Sequence, residues 1–278
     1  MERGEKEMTK VTSAQEAMND DVYLKALTDL LYQLADDDFL ISFRGSEWLG
    51  LAPHIEEDVA FSSITQNTMG HALMYYRLLE DLSEGEADAL AHERDPSSRR
   101  NAVYFEKKNG EGEYLTEPYY DWALAVVRNF LYESFKKVKL EALTKSSYTP
   151  LANIAGKVLM EQPYHLSHWK IWFKQLNNST DEAKTKLQSR LEEAWQQFGD
   201  VLELGEYATE LEHFDIISGE DDLKERFIQE VESTVKDIRD ISFGKAFGSG
   251  REGDHTPDLD QALNTLAEVY RSDEKAVW

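Results

Sequence analysis

Two long pairs of helical segments, residues 20–82 and 116–176, constrain the fold of this chain more than any other feature. In each pair, apolar residues recur at intervals of three and four, which keeps their side chains on one face of an α-helix. A short turn divides each pair, near Pro53 in the first and near Ser147 in the second. Because the pairs are similar in length and layout, they predict an all-α fold built on a four-helix bundle of two hairpins.

Local signals predict where the helices begin and end. Asn19 and Asp20 are good caps for the first helix, Thr116-Glu-Pro118 for the third, and Ser179-Thr-Asp-Glu182 has the form of a capping box. We predict a flexible segment over residues 1–18 and a single helical domain over residues 19–278. Helices are expected at about residues 20–49, 53–82, 86–94, 116–144, 149–176, 180–203, 220–241 and 257–271.

The composition excludes several classes of function. A net charge of −24 repels phosphate backbones and anionic lipid, so we expect neither nucleic acid nor a membrane surface as a partner. The chain has no cysteine, which excludes disulfides, thiolate metal sites and iron–sulfur clusters. It has no apolar run near the ~20 residues of a membrane span, and its first residues lack the apolar core of a signal peptide. We therefore expect a cytoplasmic protein.

Two short motifs in the second and fourth bundle helices point to a metal site that has lost ligands. They are Thr68-Met-Gly-His71 and Gln162-Pro-Tyr-His165. In a carboxylate-bridged di-iron bundle the same frame reads Glu-x-x-His, with both side chains directed into the core. Both histidines remain in this chain and both glutamates are missing. The pattern indicates a subunit that does not activate oxygen by itself.

Four polar residues are expected to meet in the bundle interior. An antiparallel hairpin brings together residues that are equally far from its turn, and Asp37, His71, Glu133 and His165 lie at similar distances from their turns. Each also belongs to an otherwise apolar helical stripe. Thr68 and Gln162 lie one helical turn before the two histidines and complete the candidate site.

Three states of this candidate site remain open from the residues alone. We favour a site in which the polar groups bond to one another and hold no metal. A single adventitious ion on the four residues is the second possibility, and a functional di-iron site the third. A di-iron centre needs about six ligands, and neither Thr68 nor Gln162 can replace a bridging carboxylate. Arg44, on the same stripe as Asp37, could pair with a buried carboxylate instead.

Several other features have two interpretations each. Pro163 either kinks the fourth helix or divides it in two. The glycine-rich residues 248–256 form either a flexible connector or a loop whose N–H groups hold an anion. Arg99-Arg100 and Lys107-Lys108 form a basic island that is either solvated or in contact with a coenzyme A phosphate or an acidic partner. The aromatic side chains of Trp169, Trp172 and Phe173 are expected in the core or in a subunit interface.

A series of short motifs resembles a known family. The chain is similar to the C subunit of the bacterial ring-1,2-phenylacetyl-CoA epoxidase over roughly residues 22–278. The motifs are Leu34-Ala-Asp-Asp37, Arg44, Ser46-Glu-Trp48, Glu57-Asp58, Arg100-Asn101, Asn109-Gly110, Phe130-Leu131, Tyr164-His165-Leu166 and Gly253-x-His255-Thr256. The resemblance implies a glutamine at the position of His71 and no proline at position 163, and this chain departs from it at both.

The resemblance implies a ferritin-like bundle and a structural role. In that family a homologous A subunit holds the di-iron centre, the C subunit has lost the ligand set, and a small B subunit and a reductase complete the system. We therefore expect no catalytic residue, no metal and no cofactor in this chain. The alternative is a stand-alone metal-dependent oxidase that uses Asp37, His71, Glu133 and His165. A third interpretation is a self-assembling ferritin-like binding module, and a homodimer is compatible with the scaffold role.

Overall fold

The computed structural model of the chain describes residues 10–236 and 238–273. These residues form ten α-helices and one short antiparallel β-hairpin. The helices are α1 (Ala14–Ala17), α2 (Asp21–Ser46), α3 (Ile55–Asp81), α4 (Ala87–His92), α5 (Trp122–Leu143), α6 (Thr149–Asn177), α7 (Asp181–Gln197), α8 (Ala208–His213), α9 (Glu220–Glu232) and α10 (Pro257–Ser272), and the strands are β1 (Gly110–Glu111) and β2 (Tyr119–Tyr120).

The four longest helices form the predicted bundle. α2 packs along α3 and α5 along α6 as two hairpins, and α3 also contacts α6. The additional C-terminal helices pack mainly on α2 and α5, since α7 and α9 pack on α5 while α8 and α10 pack on α2, and α7 also contacts α6. The prediction of an all-α, ferritin-like bundle with additional C-terminal helices is confirmed.

Helix α2 is the central element of the fold. Every residue from Leu34 to Gly45 is buried, so this part of the helix is surrounded on all sides. Three consecutive carboxylates, Asp36, Asp37 and Asp38, lie within it and are at most 1% exposed. Successive side chains on a helix point about 100° apart, so each aspartate faces a different neighbour. Each must find its own cation there, because an unpaired buried carboxylate is strongly unfavourable.

The observed caps explain where the helices begin. Asp20 accepts hydrogen bonds from two N–H groups of the first turn of α2, as predicted. The third long helix begins at Trp122 rather than near Thr116, because Asp121 accepts from the N–H groups of residues 123 and 124. The cap of α7 is Thr180 rather than Ser179, since the Thr180 hydroxyl accepts from the residue 183 N–H.

Several predicted boundaries were wrong in the C-terminal third. α7 ends at Gln197 and α9 at Glu232, so both are shorter than expected, and α8 was not predicted. Gly199 donates its N–H to the Gly244 carbonyl at 2.9 Å, which directs the chain away from the helix axis of α7. A non-local hydrogen bond of this kind leaves no periodic signal in the sequence.

The folded part of the chain begins earlier than the predicted boundary at residue 19. Residues 1–9 of the predicted flexible segment lie outside the described residues. Val11 donates its N–H to the Ser147 carbonyl and accepts from the Thr149 N–H, each at 2.9 Å. These bonds fasten residues next to α1 to the turn between α5 and α6.

Helix α6 runs without a break through Pro163. The interpretation of two separate helices is therefore wrong, whereas the kink stays a prediction. The proline ring is on an exposed position of the helix. Within the described residues, none of the helices is long and apolar enough to cross a membrane.

Candidate functional site

The bundle interior contains a layer of polar side chains from all four helices. They are Asp38 from α2, His71 from α3, Glu133 and Lys136 from α5, and Gln162 and His165 from α6, and each is at most 4% exposed. The rings of His71 and His165 lie side by side, with 6.1 Å between their centroids. Four of the six predicted site residues, His71, Glu133, Gln162 and His165, therefore lie in one layer.

The ammonium group of Lys136 lies between Asp38 and His71 in this layer. Lys136 Nζ is 2.7 Å from Asp38 Oδ1 and 3.1 Å from His71 Nδ1. The Tyr132 hydroxyl also donates to Asp38 Oδ1. Burial raises the pKa of Asp38, and the charge of Lys136 and the hydrogen bonds of Lys136 and Tyr132 oppose this effect. A buried cation thus takes the place between a carboxylate and an imidazole that a metal ion would need.

The contacts of His71 fix its tautomer. An ammonium group can only donate, so His71 Nδ1 must be the acceptor and Nε2 must carry the proton. Nε2–H then donates to Glu161 Oε2 at 3.1 Å. Burial, the Lys136 charge and His165 lower the pKa of His71 to about 2. These effects outweigh the contact with the half-exposed Glu161 carboxylate, which by itself would favour the protonated form of His71. His71 is therefore neutral, and both of its nitrogens are already engaged.

A second polar group lies around His165. Gln162 Nε2 donates to the Glu133 carbonyl at 2.7 Å and lies 3.3 Å from Glu133 Oε2. His165 Nδ1 is 3.4 Å from Glu133 Oε1, and the Asn67 amide is 3.4 Å from its Nε2. Because the amide of Gln162 is already bonded to Glu133, the retained glutamate is held by a neutral side chain.

Thr68 and Asp37 do not join this layer, which corrects two predictions. The Thr68 hydroxyl donates to the Ile64 carbonyl of its own helix at 2.9 Å. Asp37 is one position from Asp38 and faces a different segment of the chain, where Arg251 binds both of its oxygens at 2.9 and 2.7 Å. Arg44 was expected to pair with a buried carboxylate, and it pairs with the partly buried Glu47 of its own helix end and donates to the Glu106 carbonyl.

The site does not fit a di-iron centre. A bridged pair of irons needs several carboxylates between the helices, and of the two in this layer Asp38 is held by Lys136 and Glu133 by Gln162. The cavity beside Asp38 and Lys136 measures about 10 Å³, which is the space of a single water molecule. Among the described residues, no group of three or more His, Asp or Glu side chains is arranged to hold a metal ion.

Arg99 of the basic island is structural, whereas Arg100 and Lys107 are partly exposed and pair with Asp29 and Glu193. Whether Arg100, Lys107 and Lys108 contact a coenzyme A phosphate or an acidic partner stays a prediction. Arg99 is fully buried, and together with Arg94 it binds Asp36. Burial alone would raise the pKa of Asp36, but these two arginines lower it to about 2.

In the loop of residues 248–256, backbone N–H groups bind carboxylates of the chain itself. Gly250 donates to Asp200 at 3.2 Å and Thr256 to Glu106 at 2.7 Å. The loop is therefore neither a flexible connector nor a site for an external anion. Trp169, Trp172 and Phe173 lie in the core, as one of their two interpretations predicted.

Comparison with known proteins assigns the family. The sequence model of the phenylacetic acid catabolic protein family matches residues 7–278. The chain belongs to this family. Among curated proteins, it is similar to the C subunit of the 1,2-phenylacetyl-CoA epoxidase of Escherichia coli (strain K12), with 25% identity over 251 residues that cover 89% of this chain and 97% of that protein. The resemblance noted from the short motifs is confirmed.

Sequence reasoning missed two residues of the polar layer, Asp38 and Lys136, and three residues that contact it, Tyr132, Asn67 and Glu161. A signal existed for Lys136, because it follows Glu133 by three positions and so shares its helix face. Lysine is not a usual metal ligand, so the spacing of candidate ligands does not point to a buried cation.

The ion pair between Lys136 and Asp38 can be tested with a double-mutant cycle. Lys136→Met leaves Asp38 buried without its cation, so we expect the free energy of unfolding to fall by about 3–5 kcal/mol. The double variant Lys136→Met/Asp38→Asn removes both charges, so its free energy of unfolding should fall less than that of Lys136→Met alone. Urea unfolding measures each variant. Lys186→Met, which breaks an exposed pair with Glu182, is the control and should have little effect. Additive losses in the double variant would contradict the pairing.

The low pKa of His71 predicts a sensitivity to acid. The unfolded histidine titrates near pH ~6.5 and the folded one at about 2, so between these values the unfolded state binds one more proton. The free energy of unfolding should therefore fall below pH ~6.5, by up to about 1.4 kcal/mol per pH unit from this group. In the His71→Gln variant, the free energy of unfolding should depend less steeply on pH than in wild type. In the control variant His213→Gln, which changes an exposed histidine, the dependence on pH should stay as in wild type. Equal slopes for wild type and His71→Gln would show that His71 can be protonated in the fold.

Proposed function

We propose that this chain is the non-catalytic structural subunit of a 1,2-phenylacetyl-CoA epoxidase in aerobic phenylacetate degradation. The observation that carries the proposal is the ammonium of Lys136 between Asp38 and His71, in the position where a metal-bearing bundle would need open ligands. The match to the phenylacetic acid catabolic family over residues 7–278 and the similarity to an epoxidase C subunit support it.

The proposed assembly supplies the chemistry that this chain lacks. The homologous A subunit holds the di-iron centre and inserts oxygen into the aromatic ring of phenylacetyl-CoA, and the B subunit and the reductase complete the system. This chain holds no cofactor in the proposal, and the assembly is cytoplasmic. Its role is to pack its long helices against the A subunit and to keep the helices of that subunit in place. An interface of obligate size, above ~2,000 Å², is expected.

The stand-alone oxidase is the rival function, and the geometry disfavours it. It requires Asp37, His71, Glu133 and His165 to share one site. Asp37 is instead bound by Arg251, and both nitrogens of His71 are engaged. Of that set, Glu133 and His165 do lie close together, with 3.4 Å between Glu133 Oε1 and His165 Nδ1, but two side chains do not make a metal site.

Reconstitution tests the proposed function. The chain and the A subunit are purified separately, mixed at micromolar concentration and analysed by size exclusion. We expect one stable complex, and we expect epoxidation of phenylacetyl-CoA only when the A subunit, the reductase and an electron donor are present. The chain without the A subunit should consume no oxygen. Failure to form a complex, or oxygen consumption by this chain alone, would refute the proposal.

A further inference from the structure

The outward side of α3 and α6 is not covered by the additional helices. These pack on α2 and α5, although α4 also contacts α3 and α7 contacts α6. α3 and α6 are joined to each other through polar side chains, among them the pairs His71–Glu161 and Glu57–His168. The two helices therefore present a common outer surface on the side of the bundle away from α8 and α10.

Large apolar side chains are exposed on this surface. We define the α3–α6 face by the residues Ile55, Val59, Leu73, Met74, Met160, Tyr164 and Ile171, of which Met160 is 78% exposed. They lie on the helix sides opposite the core, mostly at spacings of four and seven along each helix. A cluster of exposed apolar groups along two neighbouring helices is typical of a protein–protein interaction site.

Charged residues are rare on the α3–α6 face. The chain as a whole has 30% charged residues, yet α3 has no Asp, Glu, Lys or Arg between Asp58 and Arg77. In α6, Glu161 is the one such residue between Lys157 and Lys170. Apart from Glu161, charged residues of α3 and α6 therefore lie only toward the two ends of the face. Depletion of charge in the centre with charges at the rim distinguishes an interface core from ordinary protein surface.

Two glycines within the helices give independent evidence for a close neighbour. Gly70 in α3 and Gly156 in α6 occupy helical positions where a Cβ atom would meet nothing within 4 Å. Glycine weakens a helix compared with alanine, and no contact among the described residues requires it at either position. A helix of another subunit that approaches closely would explain why both positions lack a Cβ atom.

The charge of Glu161 distinguishes between two possible binding partners at the face, a second copy of this chain and a different subunit. The side chain of Glu161 is 52% exposed, and its Oε2 accepts a hydrogen bond from the neutral His71, so covering the face buries a carboxylate whose charge pairs with no Lys or Arg among the described residues. A second copy of this chain, related by a two-fold axis through the centre of the face, would bring two Glu161 carboxylates together. It would also bring together two chains that each carry a net charge of −24. A different subunit that places an arginine or lysine opposite Glu161 would form an ion pair with this carboxylate.

We propose that the α3–α6 face is the docking surface for the catalytic A subunit. The inference rests on the proposed function and adds the surface and its chemistry. The matching surface of the A subunit is helical, apolar and nearly free of charge, has a backbone close to Gly70 and Gly156, and places an arginine or lysine opposite Glu161.

A charge placed in the face tests the proposal. Met160→Asp puts a carboxylate beside Glu161, and the dissociation constant for the purified A subunit should rise at least 100-fold. Val269→Asp is the matched control, because Val269 is an exposed apolar residue of α10 on the other side of the bundle and is 63% exposed. It should change the dissociation constant less than threefold. Isothermal titration calorimetry measures both, and circular dichroism checks that the variants fold.

Gly70→Ala separates binding from folding. The added methyl group meets nothing within the chain and favours the helix, so the melting temperature of the isolated variant should stay equal or rise. The same methyl group should obstruct the neighbouring helix of the A subunit and raise the dissociation constant at least tenfold. If Gly70→Ala is as stable as wild type but binds the A subunit more weakly, the substitution affects the interface and not the fold of the isolated chain.

The outcomes distinguish the inference from the proposed function. If wild type binds the A subunit while Met160→Asp and Gly70→Ala bind equally well, the face is wrong and the proposed function stands. If wild type does not bind the A subunit, the proposed function fails and the assigned occupant with it. If isolated wild type sediments as a dimer that Met160→Asp dissociates, a second copy occupies the face, and the inference is overturned.

Discussion

The three consecutive buried carboxylates of α2 impose the main constraint on this structure. Asp36, Asp37 and Asp38 lie in the centre of the protein, where each requires a cation within hydrogen-bonding distance. The helix turns them toward three different segments, so three parts of the chain must supply the cations. Asp36 is bound by Arg94 and Arg99, Asp37 by Arg251, and Asp38 by Lys136. These pairs join α2 to the loop after α4, to the loop before α10 and to α5.

The pair of Asp38 with Lys136 determines whether the bundle interior can hold a metal ion. A layer of histidine and carboxylate side chains between four helices is the usual place for a metal centre in a bundle of this kind. Lys136 supplies the positive charge of that layer by itself and uses Asp38 and His71 as its acceptors. The charge of Asp38 is therefore balanced by a side chain of the protein, and Glu133 is bonded to Gln162. A bundle stabilised in this way can serve as the rigid scaffold that we propose.

The sequence predicted the bundle and most of the polar layer, because both depend on helical periodicity and on distance from the turns. That argument gives the depth of a residue in the bundle but not its direction around the helix. The choice of Asp37 in place of Asp38 was an error of one position, which corresponds to a rotation of about 100°. The anchoring roles of Arg99 and Arg251 could not be predicted, because both lie in loops that bind α2 across long sequence distances. The role of Lys136 was missed for a different reason, since a lysine does not stand out among candidate metal ligands.

Loading of the isolated chain with Fe(II) tests the central claim most directly. The chain and the catalytic A subunit are incubated in parallel with excess Fe(II) without oxygen, desalted, and analysed for iron per polypeptide. The A subunit should retain a pair of irons. This chain should retain far less than one iron per polypeptide, because the ammonium group of Lys136 already lies between Asp38 and His71, where a metal ion would need to bind. Retention of two irons per polypeptide, with an absorption change on exposure to oxygen, would contradict the account.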